Sequence, residues 1–160
     1  MIQITVISVG KIKEKYFVSA IEEYEKRLKR YASMNLIELK DEAVPDTLSE
    51  NERRIVLEKE GQRIIEKIPH GSYVVALCVE GKQISSEELS EFINNSALSG
   101  KSHITFIIGG SLGLSDEVKK KADFKLSFSK MTFPHRLMKV ILMEQIYRAF
   151  TIIEGKTYHK

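Results

Sequence analysis

An α/β fold with a mainly parallel sheet flanked by helices is the architecture this chain predicts, on three observations. Apolar runs of strand length alternate with amphipathic runs of helix length along the whole sequence. Glycine, proline or a capping serine stands at most of the junctions. Two runs, Ile107-Ile-Gly-Gly-Ser-Leu-Gly-Leu114 and Leu126-Ser-Phe-Ser-Lys-Met-Thr-Phe-Pro-His135, end in backbone-rich loops of the kind that bind ligands beyond strand ends.

Residues 2–9 read as a strand closed by Gly10. A helix over 14–31 follows, with Phe17, Ile21, Tyr24 and Leu28 on one apolar face and charges on the other. Residues 35–39 read as a strand, and the polar stretch around Pro45 as a connection. Ser49 and Glu52 have capping-box spacing, in which hydroxyl and carboxylate satisfy free amides of a first turn; they open a helix over 50–68 that Pro69-His-Gly71 ends. A strand at 73–79 precedes a second capping-box pair, Ser85 and Glu88, and a helix over 86–98. A strand at 103–108, a short helix at 115–122, a brief strand at 124–128 and a helix over 135–153 complete the pattern. No repeat or linker divides the chain, so residues 1–160 are expected to form one domain, large enough for a core without staples.

The final helix carries apolar residues almost all round, including Leu137, Val140, Ile141, Leu142, Met143, Ile146 and Phe150. A helix with one wet face does not need so many. Cover on two sides is expected, and in a small chain the second cover is a further copy, giving a symmetric homodimer built on this helix. The competing arrangement encloses the helix within one chain.

Net charge is +3, unevenly spread. Residues 1–99 carry 14 basic and 17 acidic side chains, residues 100–160 carry 11 and 5, so positive charge gathers around the two loops and favours an anionic partner. The lone cysteine, Cys78, lies in an apolar run and reads as inert core packing in a reducing compartment. No leader and no membrane-length apolar run are evident, so a cytoplasmic location without membrane partner is expected.

Gly109-Gly-Ser-Leu-Gly113 lets a ligand approach the backbone closely, but it does not match the dinucleotide fingerprint. Gly155-Lys-Thr157 resembles the end of a phosphate loop, yet follows a helix and lacks the required glycine at Phe150. His70, His103, His135 and His159 show no spacing for a metal cage, so no metal is expected. His135 differs from the others because it follows Pro134 at a helix start, where its ring can face the loops and handle a proton. There is no serine elbow and no evident pair of catalytic carboxylates. In the tail, Tyr158-His-Lys160 sets an aromatic beside bases, which suits stacking and pairing on RNA.

With these loops, Glu144-Gln-Ile-Tyr-Arg-Ala-Phe150 and the ending Tyr158-His-Lys160, the chain closely resembles the RlmH (YbeA-type) large-subunit ribosomal RNA methyltransferases of the SPOUT class. The likeness runs from the opening strand and Gly10 through Lys59-Glu-Gly-Gln62 to the last residue. It implies a deep trefoil knot in the C-terminal part, a homodimer, S-adenosylmethionine as cofactor, and methylation of N3 of a pseudouridine in helix 69 of bacterial 23S ribosomal RNA within the ribosome. It places cofactor contacts on Leu77, Gly109, Phe128, Ser129, Lys130, Met131, Thr132 and Phe133. His135 is then a candidate catalytic base, and Arg136, Tyr158, His159 and Lys160 are candidate RNA contacts. Lys160 stands where some relatives have arginine, which keeps the charge and loses a bidentate contact. The alternatives are a non-catalytic ribosome-binding protein, which would bind no S-adenosylmethionine, and a phosphate-dependent nucleotide enzyme, which would prefer ATP or a dinucleotide.

Overall fold

A computed structural model describes residues 1–160. Five strands, β1 (Ile2–Val9), β2 (Ala32–Leu39), β3 (Tyr73–Gln83), β4 (His103–Ile108) and β5 (Phe124–Ser127), form one sheet in the order β2-β1-β4-β3-β5. Every pairing is parallel. The helices are α1 (Lys15–Leu28), α2 (Glu50–Lys67), α3 (Ser86–Leu98), α4 (Asp116–Lys121) and α5 (His135–Ile153).

Side-chain alternation along the strands divides the core in two. Ile4, Val6, Val75, Ile104, Phe106 and Leu126 face a layer made by α1, α3 and α5, where Leu28, Ile93, Leu142 and Ile146 close over them. Ile7, Val9, Val74, Ala76 and Ile107 face the opposite layer, where Ile64 of α2 and Val118 of α4 cover them. Two-sided burial explains why the central strands read as continuous apolar runs.

Local chemistry fixes the helix starts. Ser49 accepts from Glu52 N at 3.1 Å while the Glu52 carboxylate accepts from Ser49 N, and Ser85 with Glu88 repeats the arrangement. Both capping boxes expected from spacing are therefore present. Ser115 caps α4 by accepting from Val118 N. No helix is long and apolar enough to cross a membrane.

Three boundaries differ from the sequence reading. The first helix stops at Leu28, because the chain turns at once through Lys29–Tyr31, with Tyr31 N donating to Leu28 O. The second strand starts at Ala32 because Ala32, Ser33 and Met34 pair with Ile2, Gln3 and Ile4, a ladder that outweighs weak local propensity. The third strand continues to Gln83 through an excursion: Leu126 of β5 lies opposite both Leu77 and Lys82. Gly81 permits the return, since a Cβ there would lie 2.7 Å from the Lys125 carbonyl carbon.

The final helix packs on α1 and α3 over the sheet. Its inner face is buried at Leu142, Met143, Ile146, Ala149 and Phe150, while Leu137, Val140 and Ile141 are only half-buried.

Candidate functional site

Because all strands are parallel, the loops after β1, β2, β3, β4 and β5 gather along one edge of the sheet. A cleft of ≈ 660 Å³ opens there, within the size range of small-molecule sites. Leu77, Gly109, Phe128, Ser129, Met131, Thr132, Phe133 and His135 all line it, so the two loops singled out in the sequence form walls of one cavity. Lys130, exposed on the same loop, does not line it.

The glycine loop is shaped by backbone contact. Gly113 N donates to Gly110 O at 3.0 Å, and a Cβ on Gly109 would lie 2.4 Å from Gly113 O. Gly113 has φ +83°, a value that side-chain-bearing residues rarely adopt. The wall here is therefore peptide surface. The opposite loop is held by short polar turns: Ser127 Oγ donates to Ser129 O, and Met131 N donates to Ser129 Oγ.

Several lining residues had no signal of their own in the sequence. Met138 supplies apolar wall, and Glu80 and Lys119 form an ion pair of 2.5 Å at the cleft. The lysine run 119–121 reads as a solvated helix face, but its first member points to Glu80 and lowers that carboxyl below its ordinary range. Cys78 departs from expectation. It is half-buried at the cleft, not sealed in the core, because the excursion after Leu77 carries it to the strand end; burial, with Glu80 adding, pushes its thiol pKa up.

His135 is half-buried at the first turn of α5, with its ring against Gly10: a Cβ there would stand 3.2 Å from His135 Nε2. Burial and the adjacent Arg136 push its pKa down, while Asp41 and Glu14 oppose this. The net effect favours the neutral, proton-accepting imidazole. Arg136 pairs with Glu14, just before α1, leaving its Nε and Glu14 Oε2 buried without partners.

Lys139, one turn further along α5, is a buried cation in an otherwise apolar stretch. Its Nζ lies 3.6 Å from Glu38 Oε2, which also accepts from Ile12 N at 3.0 Å. Ser8, the register partner of Glu38, has a buried hydroxyl without a partner. The pairs Glu14–Arg136 and Glu38–Lys139 hold the loop after β1 against the turn bearing His135.

The tail docks elsewhere on the same chain. Tyr158 packs edge-on against Tyr147, Arg148 lies over its ring, and its hydroxyl donates to Glu144. His159 sits between Arg148 and Glu87. Arg148 stands thirteen residues after His135 in the helix, so one chain keeps tail and His135 roughly 20 Å apart. Lys160 is exposed. A smaller hollow of ≈ 400 Å³ shares Leu126, Phe128 and Phe133 with the cleft and reaches Ser86 and Gln145, beside the helix start bearing Glu87.

A family model described as "Predicted SPOUT methyltransferase" matches residues 2–159. The chain is 57% identical over 157 residues to the ribosomal RNA large subunit methyltransferase H of Clostridium kluyveri, covering 98% of this chain and 99% of that protein. The chain belongs to this family of SPOUT methyltransferases. The corresponding protein of Alkaliphilus oremlandii is also 57% identical, with the same coverage. Among solved structures, a probable methylase family protein from Haemophilus influenzae aligns with TM-score 0.55 at 14% identity, over 98% of this chain and 70% of that one. A tRNA (m1G37) methyltransferase from Aquifex aeolicus aligns with TM-score 0.52 at 15% identity, over 92% and 69%. These two likenesses bear on the fold alone.

Proposed function

We propose that the protein transfers a methyl group from S-adenosylmethionine to large-subunit ribosomal RNA, with N3 of a pseudouridine in the helix 69 hairpin of 23S RNA as acceptor. The observation that carries this reading is the cleft, formed by Leu77, Gly109 and residues 128–133 in a chain 57% identical to ribosomal RNA large subunit methyltransferases. Its residues fit the cofactor. Leu112, Leu114, Leu126 and Met138 offer apolar surface to a flat adenine, and peptide groups of the Gly109–Gly113 turn, where no Cβ has room, offer hydrogen-bond partners.

When bound, S-adenosylmethionine supplies an electrophilic methyl group on a sulfonium. The protein's own task is to hold donor and acceptor in line, exclude water and take up the N3 proton. His135, neutral and at the cleft, accepts that proton in this proposal. Arg136, Tyr158, His159 and Lys160 are assigned to RNA. The separation of the tail from His135 within one chain favours a tail that serves a partner's cleft, and the half-buried Leu137, Val140 and Ile141 form the proposed homodimer face.

The proposal includes the trefoil knot and a single domain over 1–160. The double pairing of Leu126 with Leu77 and Lys82, and the packing of Gly81 on the backbone of Lys125 and Leu126, support a segment threaded closely past a neighbouring loop. The assembled ribosome is the proposed substrate, because a chain of modest charge needs more surface than naked RNA offers. Incubation with methyl-tritiated S-adenosylmethionine and ribosomes lacking the modification tests this. Label should enter 23S RNA of ribosomes and much less free 23S RNA; equal labelling of both overturns the ribosome requirement, and no labelling of either overturns the activity.

A further inference from the structure

The short run Lys59-Glu-Gly-Gln62 has no place in the cleft, yet it lies directly behind it. Glu60 is 4% exposed, and its Oε1 and Oε2 would stand 3.4 and 3.7 Å from a Cβ on Gly110. Its Oε2 also accepts from Glu42 N at 2.9 Å, in the connection after β2. Gly61 brings α2 closer still to the other end of the loop, since a Cβ there would meet Ser115 Oγ at 2.5 Å. Adjacent residues of one helix thus press on both ends of residues 110–115.

A buried carboxylate is unfavourable unless its contacts repay the lost hydration. Burial raises the pKa of Glu60; Asp41 and Glu42 add to the rise, and the Glu42 amide and Arg63 oppose it. Packing alone would be better met by an apolar side chain. A carboxylate suits a position that must fill the space beneath a glycine and also accept a backbone N–H. Gly109 is packed on Gly113 O and Gly113 N donates to Gly110 O at 3.0 Å, so the turn is closed on itself and a displacement at Gly110 would be passed to the peptide wall of the cleft.

We infer that Glu60 and Gly61 are positioning residues for the cofactor turn, setting the place of Gly109–Gly113 from behind without touching the cofactor. This rests on the reading that the cleft takes S-adenosylmethionine. Isothermal titration calorimetry with S-adenosylmethionine on the full chain, alongside ligand-free thermal unfolding, tests it. Glu60→Gln keeps the reach and the acceptor and should bind within about threefold of wild type. Glu60→Ala should bind roughly ten- to a hundredfold more weakly. Where Glu60→Ala does not fold, Glu60→Asp, which withdraws the carboxylate by one methylene, carries the same expectation. Arg63 holds the same connection through Lys40 O and Glu42 without reaching the turn, so Arg63→Ala should leave affinity within about twofold. Wild-type affinity in folded Glu60→Ala or Glu60→Asp, or an equal loss in Arg63→Ala, overturns the positioning role. A wild type that binds no S-adenosylmethionine instead overturns the cofactor reading beneath it.

Discussion

In the proposed mechanism the chemistry concentrates at His135, because burial and Arg136 lower its pKa and favour the neutral ring over the charge an exposed histidine takes up. His135→Ala should leave S-adenosylmethionine affinity intact and slow methylation by roughly 10²–10⁴-fold, read by single-turnover kinetics. The lowered pKa sets the direction of the acid limb: the wild-type rate should fall at lower pH than it would with an ordinary, exposed histidine as the base. For stability the sign is the same. A depressed folded pKa gives stability that is full above the unfolded value and is lost as pH falls through the folded one. Gly109→Ala should abolish cofactor binding, since its Cβ meets backbone at 2.4 Å and the turn must open; calorimetry beside a thermal melt reads this. His135 and Gly109 were legible in the sequence because proline, helix start and strand end mark them. Glu80 and Lys139 were not, because their partners Lys119 and Glu38 are distant in sequence and only the fold joins them.

Elements were legible wherever their signals are local. The capping serines placed the starts of α2 and α3, and Ser49→Ala or Ser85→Ala should each destabilise by about 1 kcal/mol in urea unfolding. The start of β2 and the extension of β3 were hidden, since both depend on which strand lies alongside. Within α5, the buried Lys139 has one carboxylate, Glu38, and that anion also holds Ile12 N. Glu38→Gln leaves the buried lysine without its counter-charge and should destabilise by about 3 kcal/mol, whereas Lys139→Met removes the buried charge, leaves only the part-exposed Glu38 unpaired and should cost less. Both are read by denaturant midpoint. If the methionine variant is stable yet slower with cofactor affinity unchanged, the lysine serves the placement of His135; unchanged turnover would limit it to packing.

At the scale of the molecule, the alternating pattern was sufficient for a parallel sheet with helices on both faces, because two-sided burial writes itself into continuous apolar strands. Threading of one segment past another leaves no periodic trace, so the proposed knot was expected only from the resemblance. The proposed dimer makes a separate expectation. Ile141→Glu, on the half-buried outer face of α5, should convert a dimer to a folded monomer in sedimentation equilibrium and reduce methylation; a wild type that sediments as a monomer would remove the dimer. The proposed activity stands on the modified nucleotide. Mass spectrometry of 23S RNA fragments from cells with and without this protein tests it most directly: the N3-methylated pseudouridine of helix 69 should be present with the protein and replaced by unmethylated pseudouridine without it. Persistence of the methyl group in cells lacking the protein would contradict the central claim.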